Sequence, residues 1–214
     1  MLRNSIAGHT NAGGSDAFLQ IKTERRVELT VKGSRFIASA GKVADEEAVQ
    51  AFLDKIRAEF PDASHQCYAW RLGFGRKLRY RYSDDGEPPS TAGLQIYKVL
   101  DGRNYSNTIV VVTRYFGGVK LGTGGLIRAY GKVTQDLLRE CGAEKSFPTD
   151  RVSFKTGLEF VSLVHNIVAG FKATILESNF SQDAAFIVEL RASRMKEFRT
   201  KLKDATNGQV IFEK

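Results

Sequence analysis

A run of consecutive β-branched and apolar residues, TIVVVT at 108–113, restricts the fold of this chain more than any other segment. An unbroken apolar run of this length predicts a β-strand covered on both faces. A glycine-rich stretch follows, and then apolar residues recur at helical spacing, which predicts a helix over Gly125–Cys141 that ends at Gly142. Because a strand buried on both sides lies inside a sheet, we expect TIVVVT at the centre of an α+β domain.

The segments before this run predict further strands and one more helix. VELTVK and RFIASAG, separated by Gly33 and Ser34, predict a hairpin between 27 and 41. Asp45 is the expected N-cap of a helix that Pro61 stops, and HQCYAWRL and LRYRY predict two more strands. The first 22 residues are rich in Gly, Asn and Ser and predict a mobile tail, so we expect the first domain over 23–145.

From Ser146 onward the predicted elements follow the order βαββαβ. Strand-like alternation is followed by a helical apolar stripe, two strands, a second helix capped by Ser193 and a final strand after Asn207 and Gly208. This order predicts a ferredoxin-like domain over 146–214, with two helices on one face of a four-stranded antiparallel sheet. We expect two separate cores, joined by a protease-sensitive connection near Ser146–Asp150.

Composition limits the functions that this chain can have. The formal net charge is +8, and residues 1–146 carry 22 Lys and Arg against 16 Asp and Glu. This excess favours a polyanionic partner such as RNA, although a basic surface also serves solubility alone. Apolar runs are too short to cross a membrane, and no segment has the apolar core of a signal peptide, so a cytoplasmic location is expected.

Cysteine and histidine are too few and too scattered for a structural metal site. Cys67 and Cys141 are far apart in sequence, and the three histidines lie at His9, His65 and His165. We therefore expect reduced thiols, no metal site of this kind and no cofactor. His65 and Cys67 stand two apart on a predicted strand and could pair as base and nucleophile, but no orienting group is evident nearby.

Three segments could carry chemistry, and each also has a purely structural interpretation. Asp84, Asp85 and Glu87 in SDDGEPPSTAG could hold Mg²⁺ or pair with basic groups, or could simply form a turn. We expect them to lie close to Arg114 or Arg128, because both segments leave adjacent strands.

The second segment, RYFGGVKLGTGGLIRAYG at 114–131, could bind an anion at a helix start or could be a tight connection between strand and helix. It matches neither the P-loop, because Thr123 stands where that motif needs lysine, nor GxGxxG, because Ile127 replaces the last glycine.

The third segment, YAWRLGFGRKLRYRY at 68–82, mixes cations with aromatic rings. This composition suits RNA phosphates and unpaired bases, although a strand pair with a basic outer face would read the same way. The long helix adds a cationic stripe that a solvated face would also explain. The candidate nucleic-acid-binding residues are Arg71, Arg76, Lys77, Arg79, Arg81 and Lys132.

HQCYAW, SDDGEP followed by TAG, and RYFGGVKLGTGGLIRAY, in this order and spacing, resemble the YigZ/IMPACT family. The resemblance implies a first domain with the fold of a ribosomal protein's second domain and of domain four of elongation factor G, and a second domain like domain five of that factor. One departure is that Pro89 and Ser90 replace the family's Ser-Gly. The family pattern implies binding roles for His65, Asp84, Asp85, Glu87, Thr91, Arg114, Tyr115, Phe116, Gly117, Gly118, Lys120, Gly122, Gly124, Gly125, Arg128 and Tyr130.

Two functions follow from these observations. The first is a non-catalytic regulator associated with translation, which binds RNA, the ribosome or a translation factor, since eukaryotic members of the family regulate translation initiation. The alternative is a Mg²⁺-dependent enzyme that acts on a phosphorylated small molecule or nucleotide through the glycine-rich segment and the DDGE cluster. Fold resemblance alone does not separate them, because fold does not imply function.

Overall fold

The computed structural model describes residues 16–213. These residues divide into two compact units on either side of the Ser146–Phe147 bond. Among residues 16–213, no helix has the length and apolar character needed to cross a membrane.

The first unit contains seven strands and three helices. In chain order they are β1 (Phe18–Ile21), β2 (Arg26–Val31), β3 (Ser34–Lys42), α1 (Glu46–Glu59), β4 (His65–Leu72), β5 (Arg79–Ser83), α2 (Gly93–Gly102), β6 (Thr108–Tyr115), α3 (Gly122–Cys141) and β7 (Ala143–Ser146).

Five of these strands form one antiparallel sheet in the order β2-β3-β6-β4-β5. The predicted central position of TIVVVT is confirmed, because β6 is the middle strand and Ile109, Val110, Val111 and Val112 are fully buried. Alternate residues of β6 point to opposite faces. Ile109 and Val111 pack with α1 on one face, whereas Val110 and Val112 pack with α2 and α3 on the other.

Local sequence signals account for the hairpin and the first helix. Lys32 and Gly33 both have positive φ, at 46° and 80°, which suits the twist of a two-residue hairpin between β2 and β3. The Asp45 side chain accepts a 2.8 Å hydrogen bond from the Ala48 amide and so caps α1 as predicted.

Strand β1 corrects the prediction of a mobile tail over 1–22. Phe18 and Ile21 are 3% and 0% exposed, and β1 pairs with β7 in a two-stranded antiparallel sheet. The composition of the segment concealed these two apolar residues, whose burial favours order over the entropy of a free chain. The rest of the predicted tail, 1–15, lies outside the described residues.

Helix α2 was not predicted, and helix α3 begins three residues earlier than predicted. Glycine occupies both ends of α2, and the residue before it, Ala92, offers no side-chain cap. The usual sequence signal of a helix start, a Ser, Thr, Asp or Asn at the N-cap position, is therefore missing before α2.

The second unit contains, in chain order, β8 (Thr149–Thr156), α4 (Val161–Gly170), β9 (Thr174–Phe180), β10 (Ala184–Arg191), α5 (Met195–Ala205) and β11 (Ile211–Phe212). Its antiparallel sheet has the order β11-β8-β10-β9. The element order agrees with the predicted ferredoxin-like plan, and both helices share one core with Phe154 and Phe186. The predicted cap at Ser193 is wrong, because this residue lies inside a 3₁₀ turn and α5 begins without a side-chain cap.

Candidate functional site

The loop that joins β5 to α2 is held closed by the Asp84 carboxylate. One oxygen, Oδ1, accepts hydrogen bonds of 3.0 and 2.8 Å from the amides of Ala92 and Gly93, and Oδ2 accepts one of 2.8 Å from Ser90. Asp84 therefore caps α2 from eight residues before the helix cap position. A carboxylate at a helix N-terminus is stabilised both by the free amides and by the helix dipole.

Asp85 attaches the same loop to the beginning of β4. Its Oδ2 accepts a 2.6 Å hydrogen bond from the Gln66 amide, and its carbonyl oxygen lies 2.8 Å from His65 Nδ1. In the same loop, Thr91 is buried and its hydroxyl donates to the Pro88 carbonyl at 2.7 Å. These contacts give Asp85, His65 and Thr91 roles in holding the loop.

The departure at Pro89 and Ser90 has a visible structural consequence. Ser90 has a φ of 66°, in the left-handed region that glycine adopts without strain. A glycine at this position would suit the backbone better. In this chain the bond from the Ser90 amide to Asp84 helps to compensate, at 2.8 Å.

Glu87 lies at the centre of a buried polar network. Its Oε1 accepts hydrogen bonds of 2.6 Å from Arg114 Nη1 and 2.8 Å from the Tyr130 hydroxyl. The side chains of Glu87 and Arg114 are only 2% and 6% exposed, and Tyr130 is fully buried. The expected proximity of the acidic cluster to Arg114 is confirmed for Glu87, which thereby links the β5–α2 loop, β6 and α3.

The network continues to Cys67 and Ser34. The Cys67 thiol lies 3.3 Å from the Tyr130 hydroxyl and 3.0 Å from the Asp84 carbonyl oxygen, and Arg114 Nη2 donates to Ser34 Oγ at 3.1 Å. Burial strongly raises the pKa of the Cys67 thiol and that of the Tyr130 hydroxyl. A thiol that stays protonated and buried is a poor nucleophile, so the geometry speaks against the pairing of His65 and Cys67 as base and nucleophile.

The three carboxylates of the DDGE cluster do not converge on one point. Asp84 bonds backbone amides at the start of α2, Asp85 bonds β4, and Glu87 bonds Arg114 and Tyr130. Between residues 16 and 213, no group of three or more His, Cys, Asp or Glu side chains is placed to hold a metal ion. The Mg²⁺ site that the enzymatic alternative requires is therefore not supported by these donors.

The loop Phe116–Leu121, here called the Phe116 loop, projects its side chains outward. Phe116 and Val119 are 50% and 52% exposed, and Lys120 is exposed as well. Two hydrogen bonds nevertheless fix the backbone of the loop. The Phe116 amide donates to Ser64 Oγ at 3.1 Å, and the Gly117 amide donates to Ser34 Oγ at 3.2 Å. The Arg114 guanidinium also lies 5.7 Å from the centre of the Phe116 ring.

The glycines of this segment have different roles. Gly117 packs against the backbone of Gly33 so closely that a Cβ would overlap it. Gly118 and Gly122 have positive φ of 84° and 71°, whereas Gly124 and Gly125 are ordinary helical residues of α3. The Tyr115 hydroxyl, at the start of the segment, donates to Asp62 at 2.8 Å.

The candidate nucleic-acid-binding residues do not form one surface. Arg71 is 5% exposed, donates to the Tyr105 carbonyl at 2.8 Å and pairs with Asp101 at 3.3 Å, so its predicted contact with RNA is wrong. Arg79 pairs with Glu46 of α1 at 2.7 Å.

The other candidate cations lie on separate parts of the first unit. Arg81 stands opposite Trp70, and so shares the α1 face with Arg79. Arg76 and Lys77 lie in a 3₁₀ turn between β4 and β5. Arg128 and Lys132 are exposed on α3, beyond the opposite face of the sheet.

Two cations that no sequence pattern singled out, Lys98 and Arg103, lie at α2. Together with Arg128 and Lys132 they line an open groove between α2 and α3. Because α2 itself was not predicted, no sequence pattern indicated that these four residues share a surface.

Comparison with known proteins places both units. Residues 32–138 match the family model described as the Impact N-terminal domain, and residues 161–209 match a domain of unknown function, DUF1949. The chain is 33% identical over 181 residues to the IMPACT family member YigZ of Escherichia coli, covering 84% of this chain and 89% of the relative. It is 31% identical over 193 residues to the IMPACT family member YvyE of Bacillus subtilis, covering 90% and 88%.

A solved structure shares this architecture. The crystal structure of a hypothetical protein superposes with a TM-score of 0.69 and 32% identity, covering 92% of this chain and 96% of the other.

Proposed function

The chain belongs to the IMPACT family, and we propose that it is a non-catalytic regulator associated with translation. In this proposal the first unit binds RNA, the ribosome or a translation factor, in the cytoplasm. The family resemblance implies folds like those of domains four and five of elongation factor G, and this implication favours the ribosome as the place of action. Because a fold does not determine a function, the proposal rests on the residues of the site.

The observation that carries the proposal is a difference in burial among the residues of the family's sequence pattern. Three of its polar residues that could do chemistry lie beneath the surface, where Glu87 accepts hydrogen bonds from Arg114 and Tyr130. On the Phe116 loop, Phe116, Val119 and Lys120 reach solvent, and Asp85 and Arg128 are exposed elsewhere in the pattern. A half-exposed aromatic ring beside an aliphatic and a cationic side chain, on a loop held by buried hydrogen bonds, is typical of a binding surface with little ordering cost.

The proposal is tested by cosedimentation of the purified chain with ribosomal particles at low and at physiological salt. The wild type should cosediment, and Phe116→Ala should reduce the bound fraction so that the apparent Kd rises at least about tenfold, which corresponds to roughly 1.4 kcal/mol. Phe180→Ala is the matched control. Phe180 is 51% exposed and makes an edge-to-face contact with Phe186 in the second unit.

Two results would contradict the proposal. The first is the absence of cosedimentation at low salt together with no binding to isolated ribosomal RNA or translation factors. The second is turnover of a Mg²⁺-nucleotide that is lost in Asp85→Asn but retained in Phe116→Ala, because such an ordering requires the carboxylates to act on a metal.

A further inference from the structure

We propose that the groove between α2 and α3 binds the phosphate backbone of an RNA strand and does so without reading its sequence. This inference rests on the proposed function and names the surface and the chemical class of the partner. It concerns Lys98 and Arg103 at α2 and Arg128 and Lys132 on α3, which together are called the α2–α3 groove.

The groove has the size and openness of a strand-binding channel. Its volume is 740 Å³, and it is lined along two stretches of nine residues, 95–103 and 127–135. At 1.5 Å per residue, each stretch is about 12 Å long. A stacked strand with phosphates about 3.4 Å apart would place three or four phosphates along it.

The charge of the groove is of one sign. Among the described residues that line it there is no Asp or Glu. Lys98, Arg103 and Arg128 make no ion pair within 16–213. Lys132 pairs with Asp136 at 2.6 Å, but Arg139 also pairs with this carboxylate, at 3.1 Å, so its single negative charge is shared.

The arrangement of these cations is unfavourable for the isolated protein. Arg128 and Lys132 are four residues apart on α3, and like charges at this spacing repel each other on a helix surface. Lys98 and Arg103 approach from the neighbouring helix and add to the repulsion. A polyanion in the groove would relieve it, and would gain further free energy by releasing its own counterions.

Two glycines keep the groove open. Gly102 at the end of α2 and Gly131 in the middle of α3 have no atom within 4 Å of the position that a Cβ would occupy. A glycine inside a helix costs about 1 kcal/mol relative to alanine, so Gly131 is a local disadvantage for α3. It leaves space above the helix backbone where a sugar-phosphate chain can approach.

The lining favours RNA over an acidic protein segment. Protein interfaces have aromatic anchors at their centre and few charged residues there, whereas interfaces with nucleic acids are polar and strongly positive. No aromatic side chain occurs among the described residues lining the groove. For the same reason bases cannot stack on aromatic rings, so contact with phosphates gives no preference for sequence.

The test measures binding of fluorescently labelled single-stranded RNA, of two unrelated sequences, by anisotropy over a range of salt concentrations. Lys98→Gln combined with Arg128→Gln should weaken binding to both sequences. The slope of log K against log salt should fall by about 1.4, since each phosphate contact on a single strand contributes about 0.7. Gly131→Leu fills the groove without changing its charge and should weaken binding at least about tenfold.

Lys55→Gln combined with Arg57→Gln is the matched control, because it also removes one lysine and one arginine from a helix. Both residues are exposed on α1, which covers the opposite face of the sheet. This variant should keep the slope and the affinity of the wild type. Urea denaturation of each variant shows whether it is folded.

The outcomes separate the groove from the proposed function. If the wild type binds RNA but the groove variants bind equally well, or if both charge pairs weaken binding equally, the groove inference is overturned and the regulator proposal stands. The same holds if the chain cosediments with ribosomes but binds no short RNA. If polyglutamate competes as well as RNA at equal charge, the partner is an acidic protein segment and the assignment to RNA is wrong. If RNA, ribosomes and translation factors all fail to bind, both proposals fail.

Discussion

Glu87 and Arg114 form a buried ion pair whose partners depend on each other. Removing one partner of such a pair leaves an uncompensated charge in the interior, which typically costs about 3–5 kcal/mol of unfolding free energy. We expect Glu87→Gln to approach this cost, reduced by any hydrogen bond that the amide still accepts from Tyr130. Urea denaturation followed by the fluorescence of Trp70 measures the change.

The exposed pair of Glu28 and Arg35 is the control, with an N–O distance of 2.7 Å but side chains that are 45% and 52% exposed. Glu28→Gln should leave the urea midpoint nearly unchanged, because water screens such a pair. Equal effects of Glu87→Gln and Glu28→Gln would show that the buried network does not hold the site together.

The buried thiols predict a loss of stability at alkaline pH. Burial raises the pKa of Cys141 from 9.0 to about 11 and raises that of Cys67 further. The unfolded chain therefore releases these protons first as the pH rises through 9, while the folded chain keeps them. The stabilisation is complete below the unfolded pKa and decreases above it, by at most about 1.4 kcal/mol per pH unit for each thiol.

Urea midpoints between pH 7 and 10 test this prediction. The contribution of these thiols to the urea midpoint of the wild type should be nearly constant up to about pH 8 and should then decline. The urea midpoint of Cys67→Ala should decline less steeply with pH. An identical slope in the wild type and in Cys67→Ala would contradict it.

Substitution by alanine should change the stability of the protein in opposite directions at Gly117, in the Phe116 loop, and at Gly124, in α3. A Cβ at Gly117 overlaps the Gly33 backbone, so Gly117→Ala must push the loop away from the β2–β3 hairpin and should cost about 1–3 kcal/mol. Gly124 lies within α3, where the nearest atom to a new Cβ is Arg128 Nη1 at 3.5 Å. Gly124→Ala should therefore stabilise the helix by about 0.5–1 kcal/mol.

The two alanine variants are compared by urea denaturation, and each serves as the control for the other. Stabilisation by both, or destabilisation by both, would show that this segment has a different backbone arrangement. If Gly117→Ala also weakens ribosome cosedimentation while Gly124→Ala does not, the position of the Phe116 loop matters for binding.

The two units should unfold independently, because each has its own hydrophobic core and Phe147 and Pro148 alone separate β7 from β8. The chain has a single tryptophan, Trp70, which reports on the first unit alone. Phe154→Ala should cost the second unit about 3–5 kcal/mol and lower the far-UV circular dichroism midpoint of that unit. The Trp70 fluorescence midpoint should stay where it is in the wild type.

Val112→Ala, in the core of the first unit, is the reciprocal variant and should move the Trp70 midpoint. If Phe154→Ala shifts both probes together, the chain folds as one cooperative unit. The two-residue connection also leaves little chain for a protease, so the expected cleavage near Ser146–Asp150 is a less direct test than the two midpoints.

Patterns within short segments were enough to predict much of the architecture. TIVVVT predicts a central strand because four consecutive apolar residues, flanked by threonines and all β-branched, favour a strand buried on both faces. Asp45 caps α1 because the cap and the helix are adjacent in sequence. The βαββαβ order of the second unit follows from periodicities of 2 and 3.6 residues that each segment carries by itself. The motifs also indicated the family, since their order and spacing are properties of the chain.

Tertiary structure decided the features that join distant residues. Asp84 caps α2 across a loop, so no residue adjacent to the helix indicated where it begins. Phe18 and Ile21 lie in a strand because β7 pairs with it. Arg71 and Arg81 are both basic and only ten residues apart, yet one is buried beneath α2 and the other is exposed on the α1 side. The sequence shows directly which charged side chains are present and how they are spaced. Their burial and their neighbours determine what they can bind, and these arise only when separate segments pack together.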